Sequence, residues 1–139
     1  MDNLYQDNIL DHAHNPRNKV AQASPLALSS REGVTQESFV CGEGDNPSCG
    51  DSGQMCVSMG TQIGDLNVVT DVQWYGTGCA ISQASMSIVS EYIKGKSVHD
   101  LKLLMPGDIY QLLGIQITPS RVNCALLPYL AVEKILEIC

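Results

Sequence analysis

Hydrophobic positions along this chain follow two different periods. Near the amino terminus, Leu4, Tyr5, Ile9 and Leu10 lie close to one face of a helix over 3–13. Asp2 or Asn3 is placed to cap that helix. Asn15-Pro16-Arg17-Asn18 ends it, because a residue before proline avoids the α region. Residues 19–38 mix serine-rich patches with few bulky apolar side chains and read as an extended or loop segment. The stretch from Cys41 to Asp51 is dense in Gly, Asp, Asn, Pro and Ser and predicts a loop. Apolar and polar residues partly alternate from Gln54 to Ile63, and Gly64-Asp65 marks a turn. Val68, Val69, Val72 and Trp74 enrich the next run, so the two runs predict an antiparallel hairpin.

Beyond Gly76-Thr77-Gly78 the period changes to that of a helix, carried by Ile81, Ala84, Ile88, Val89 and Tyr92 and closed by Gly95. A short helix is expected within 97–105, stopped by Pro106-Gly107, and another from Asp108 to Leu113, ended by Gly114. Leu127, Leu130, Ala131, Ile135 and Ile138 mark the inner face of a final helix, with Pro128 tolerable only near its start. A helix, a few strands and then helices is an α+β order, with helices on one side of a small antiparallel sheet. There is no internal repeat or long linker, so a single domain over 1–139 is expected.

Charge narrows the function. Eight Lys+Arg stand against 15 Asp+Glu, a net charge of −7, which disfavours nucleic acid as a partner. No polybasic cluster suits an anionic membrane surface, and no apolar run approaches the roughly 20 residues of a membrane span. The start, Met1-Asp2-Asn3-Leu4, has no basic segment followed by an apolar one, so a cytoplasmic location is expected. In that compartment the six cysteines (Cys41, Cys49, Cys56, Cys79, Cys124 and Cys139) read better as thiols for metal or sulfur chemistry than as disulfides.

Three of them share a suggestive setting. Cys49 lies in the glycine-rich loop, two residues before Asp51. Cys79 follows Gly76-Thr77-Gly78 at a helix start, and Cys124 lies near the start of the last helix. Free N–H groups and positive potential at a helix start favour thiolate, the form that attacks sulfur and binds metal. With 29 residues between Cys49 and Cys79 and 44 between Cys79 and Cys124, the spacing is too long for a zinc finger. Three sulfurs and one carboxylate would make a tetrahedral zinc set or anchor an iron–sulfur cluster. Against this, a lone cysteine is most often a small buried hydrophobe. Cys56, between Met55 and Val57, reads as core, and Cys139 as incidental. Cys41 is an extra ligand, a resolving thiol or nothing. Arg121 is either a solvated helix-start residue or a support for thiolate and persulfide. His12 and His14 flank the Asn15–Asn18 turn and read as surface or packing residues.

Four ordered segments resemble the U-type iron–sulfur cluster assembly scaffolds, the family of IscU, SufU and the NifU amino-terminal domain. They are the first helix through Asn15-Pro16-Arg17-Asn18, Asn46-Pro47-Ser48-Cys49-Gly50-Asp51, Gly76-Thr77-Gly78-Cys79-Ala80-Ile81-Ser82-Gln83-Ala84-Ser85, and Arg121-Val122-Asn123-Cys124-Ala125. The resemblance implies a SufE/NifU-like fold, a three-stranded antiparallel sheet with helices. It implies Cys49, Asp51, Cys79 and Cys124 as ligands, with Cys49 and Cys124 as candidate persulfide acceptors. It further implies a monomer or dimer that takes sulfur from a cysteine desulfurase, holds Zn2+ or Fe2+ or a transient [2Fe-2S] cluster, and serves acceptor apoproteins. Asn123 stands where IscU-type members place His before the last cysteine, and Arg121 resembles SufU. The stretch from Gly95-Lys96 to Arg121 lacks the insertion usual in SufU. Ile117-Thr118-Pro119-Ser120-Arg121 stands in place of the chaperone motif of IscU. Alternatives are a zinc-dependent sulfurtransferase of the SufU type and a structural zinc domain.

Overall fold

The computed structural model describes residues 2–19, 38–46, 50–61, 67–114 and 116–138. The segment expected as loop over 19–38, the Gly64-Asp65 turn, Cys49 and Cys139 lie wholly or largely outside them. Helix α1 spans Asp2–His14. Strands β1 (Ser38–Asn46), β2 (Asp51–Thr61) and β3 (Asn67–Thr77) follow, and then helices α2 (Ala80–Ile93), α3 (Val98–Lys102), α4 (Pro106–Leu113), α5 (Val122–Ala125) and α6 (Leu127–Ile138). The strands form one antiparallel sheet in the order β1-β2-β3.

Met55, Val57 and Met59 of β2 and Val69, Val72 and Trp74 of β3 point from the sheet into one hydrophobic core. Val69 and Val72 are three apart and would face opposite sides of a regular strand. A bulge corrects this: Ser58 pairs with Asp71 but Met59 pairs with Val69, leaving Thr70 as the extra residue. The Thr70 hydroxyl donates to the Ser58 carbonyl at 3.0 Å. Helices α2 and α6 cover this face. Ala84, Val89 and Ile93 of α2 and Leu127, Ala131 and Ile135 of α6 are buried.

Strand β1 corrects the expected loop at Cys41–Asp51. Its turn-forming glycines are packing residues, because a Cβ on Gly44 would stand 2.5 Å from the Leu127 carbonyl oxygen. Tertiary contact with α6 overrides the local preference for a turn. A second correction concerns Cys56. It is fully buried, as expected, but its sulfur is bonded to Cys41, its register partner across β1 and β2. Cross-strand neighbours four to five ångströms apart suit such a bond whatever their sequence spacing.

Other boundaries also move. Pro106 starts α4 at a position where its missing N–H costs nothing, rather than ending α3. On α6, Leu130 is 36% exposed and Val132 takes a core position instead. Leu10 on α1 is 50% exposed, while Ile9 and His12 are buried.

The Asn15–Asn18 turn works as a clip. The Arg17 carbonyl accepts from the Trp74 indole N–H at 2.7 Å, and the Asn18 carbonyl accepts from the Trp74 backbone N–H at 3.0 Å. The Arg17 N–H donates to the Ser87 hydroxyl at 2.8 Å, which in turn lies 2.7 Å from His12 Nδ1. Burial, foremost, and the Arg17 guanidinium hold the His12 pKa below its ordinary value, against the opposing pull of Glu91 and Asp11. A histidine with a lowered folded pKa is destabilising once the unfolded chain takes up protons. The His12 contribution is therefore intact above about pH 6.5 and lost as pH falls through that value. Thermal melts between pH 5 and 8 should show Tm rising with pH in this window, and His12→Asn, which keeps an acceptor near Ser87, should flatten the rise. An unchanged slope in the variant would exclude His12 as its source.

Candidate functional site

Strand β3 ends in Gly76-Thr77-Gly78, and both glycines are required. A Cβ on Gly76 would lie 2.7 Å from the Ser52 carbonyl oxygen, and Gly78 has φ 152°, which favours glycine. The chain thereby leaves the sheet and places Cys79 as the N-cap of α2, as the sequence predicts. Its carbonyl accepts from the Gln83 N–H at 3.0 Å and from the Ser82 hydroxyl at 2.9 Å. Partial burial pushes the Cys79 thiol up. The N–H groups of Ser82 and Ile81, the Ser82 hydroxyl and the Cys124 side chain outweigh burial and hold it below the usual thiol range.

Cys124 approaches from the other side. The 3-10 turn Pro119–Arg121 leads into α5, where Cys124 is fully buried. Helix α5 is pinned by the Ser85 hydroxyl of α2, which donates to the Ala125 carbonyl at 2.6 Å. Arg121, exposed, closes the pair: its guanidinium interacts with both sulfurs. The charge on Cys79, foremost, and the hydrogen bonds to Cys124 and Cys79 raise its pKa further. Two thiols share one cation, an arrangement that stabilises sulfur anions and supplies two soft ligands. Half-buried Cys79 is the more open of the two sulfurs.

The structure thus brings Cys79, Cys124 and Arg121 together. Asp51 opens β2 opposite Asn46, and the next pair along is Ser52 with Thr77, so its backbone lies at the same end of the sheet as Cys79. Among the described residues, no group of three or more His, Cys, Asp or Glu side chains is arranged to hold a metal ion. Sequence reasoning gave no role to Ser82 or Ser85. Their signal is the recurrence of serine at buried α2 positions, where each hydroxyl needs a partner.

A family model described as the NifU-like N-terminal domain matches residues 4–137. The chain is 32% identical over 151 residues to the zinc-dependent sulfurtransferase SufU of Bacillus subtilis, covering 96% of this chain and 90% of that protein. It is 31% identical over 123 residues to the iron-sulfur cluster assembly scaffold protein IscU of Rickettsia prowazekii, covering 88% and 82%. A crystal structure of a putative iron-sulfur cluster assembly scaffold protein for the SUF system from Fervidobacterium islandicum superposes with a TM-score of 0.56, 27% identity and 94% coverage of each chain. The amino-terminal NifU-like protein from Brucella abortus shares the fold with a TM-score of 0.64, 19% identity and coverage of 98% and 94%.

Proposed function

The chain belongs to the NifU-like N-terminal domain family, and we propose that it is an iron–sulfur cluster assembly scaffold that receives sulfur from a cysteine desulfurase. In this reading Cys49, Asp51, Cys79 and Cys124 hold iron or zinc, a labile [2Fe-2S] cluster is built on them, and acceptor apoproteins take it away. The observation that carries the reading is the convergence of Cys79 and Cys124 under Arg121. Thiolates supply soft ligands, and one carboxylate oxygen keeps the site exchangeable, so Asp51 is the ligand expected to leave. Sulfur arrives when a thiolate, Cys49 or Cys124, attacks the outer sulfur of the desulfurase persulfide. The new S–S bond forms on the scaffold and the desulfurase thiolate departs with the electron pair. Anaerobic reconstitution with iron and sulfide tests the reading. Thiolate-to-iron absorption is expected, and its absence would sink the scaffold role.

A second reading, a zinc-dependent sulfurtransferase, is favoured by the contact of Arg121 with both sulfurs and by Asn123 before Cys124. Arg121 stabilises sulfur anions without itself binding metal. Arg121→Ala should therefore leave zinc content unchanged and slow sulfur uptake from a desulfurase by roughly tenfold or more, as losing a charge-stabilising donor does elsewhere. Arg121→Lys should restore part of the rate. Zinc-loaded protein that fails to stimulate desulfurase turnover would remove this second reading and leave the scaffold role standing.

A further inference from the structure

The bond between Cys41 and Cys56 is not used by the chemistry above, and its two ends are unlike. Cys56 is fully buried at the centre of the sheet, whereas Cys41 is half-buried on the edge strand. Cys41 also lines an open groove of about 470 Å³ whose walls include Glu43, Asp45, Gln54, Lys134 and Glu137. A space of that size admits a small molecule. The geometry points to a thiol–disulfide exchange site at Cys41, with Cys56 as its sheltered resolving partner and a small neutral or cationic thiol as the exchanging molecule.

The chemistry runs in two steps. The thiolate of the small thiol enters from the groove and attacks Cys41 Sγ. The Cys41–Cys56 bond breaks, its electron pair leaves on Cys56 Sγ, which takes a proton, and Cys41 carries a mixed disulfide. A second small thiolate attacks the outer sulfur of that adduct and frees Cys41 as a thiol. In sum, two small thiols supply two electrons and two protons and become one small disulfide, and the reverse sequence closes the bond again. Attack at Cys41 is favoured by access alone, since both sulfurs belong to the same bond. Three carboxylates, Glu43, Asp45 and Glu137, face one ammonium, Lys134, which also lies 3.8 Å from Glu137. This field repels an anionic thiol and tolerates a cationic one.

Opening the bond loosens β1. Gly42 and Gly44 offer α6 no side chain, and Val40 of β1 packs its side chain against the core. The cross-link at Cys41 adds a covalent anchor to this edge strand, beside its pairing with β2 and its contact with α6. Strand β1 ends at Asn46, the register partner of Asp51, so its anchoring bears on how the backbone of Asp51 is held. That last consequence rests on the proposed scaffold role, and the exchange site itself does not.

The test uses the full chain in native buffer, equilibrated with cysteamine and its disulfide at varied ratios, quenched by alkylation and mapped by peptide mass. Reversible opening of Cys41–Cys56 is expected, with the transient adduct on Cys41. Cys56→Ser should accumulate that adduct, and Cys41→Ser should leave Cys56 unmodified. At equal thiolate concentration cysteamine should react several-fold faster than 3-mercaptopropionate at low salt, and the ratio should shrink in about 0.5 M salt. In the wild-type protein, reduction should speed hydrogen exchange of the β1 amides by on the order of 100-fold, the loss expected for a link of 15-residue separation. An adduct on Cys56, a bond that opens only in denaturant, or equal β1 exchange in both redox states would overturn the inference. Zinc affinity measured in both redox states addresses the consequence for Asp51. Equal affinities would remove that consequence and leave the adduct and exchange results as the measure of the site.

Discussion

Cys124→Ser should weaken metal binding by about 100-fold while leaving the fold intact. Cys124 is fully buried, in contact with the Cys79 side chain and with Arg121. Serine nearly matches cysteine in volume, so α5 stays packed through Ala125 and the Ser85 bond to its carbonyl. What changes is the donor. A hydroxyl is a hard oxygen that resists deprotonation, and soft metals discriminate against it. Structural zinc sites supply about 10–16 kcal/mol from four ligands, so one ligand is worth on the order of 3 kcal/mol, or about 100-fold in affinity. A chelator competition at neutral pH should show that loss, and far-ultraviolet circular dichroism should match the wild type. Cys79→Ser should lose as much. Undiminished zinc affinity in both variants would remove these cysteines from the ligand set and the proposed function with them.

The sequence carries unequal information about the fold and the site. Helix α2 was legible because its apolar spacing and Gly95 agree, and Gly95 indeed has φ 89° just past the helix end. The position of Cys79 was legible for the same local reason: a glycine-rich break before a helical pattern sets an N-cap. The meeting of Cys79 with Cys124 and Arg121 is different. It depends on a hydroxyl of α2 gripping a carbonyl of α5, and no spacing along the chain encodes that contact. Family resemblance supplied the pairing that periodicity did not. Strand β1 was hidden for the opposite reason. Glycine marks turns when local conformation decides, but Gly42 and Gly44 are chosen by the closeness of a helix. The disulfide was hidden with β1, since two cysteines 15 residues apart become neighbours only when both strands are known. The expectation of free thiols is overruled for this pair by strand register.

That closeness makes Gly42→Ala the substitution with the largest expected effect on stability. A Cβ at this position would clash with the Ala131 carbonyl oxygen, far inside van der Waals contact, and sit 2.9 Å from both the amide nitrogen and Cγ1 of Ile135. Backbone atoms of α6 cannot rotate away, so either the helix shifts off the sheet or β1 does. Ala131 and Ile135 are themselves buried in the core, so a shift of α6 also loosens their contacts. Overpacking of this kind costs about 1–3 kcal/mol and more where backbone must move. For a chain of this length that corresponds to a fall in Tm of roughly 3–10 °C. Gly107→Ala is the matched control. Gly107 lies in the first turn of α4 with nothing within 4 Å of its added Cβ. There the same methyl should raise stability by about 0.5–1 kcal/mol through helix propensity and a stiffer unfolded chain. Opposite signs for the two substitutions in thermal melts are the expected result. If Gly42→Ala melts with the wild type, α6 does not lie against β1 as closely as described, and the packing role assigned to Gly42 and Gly44 loses its premise.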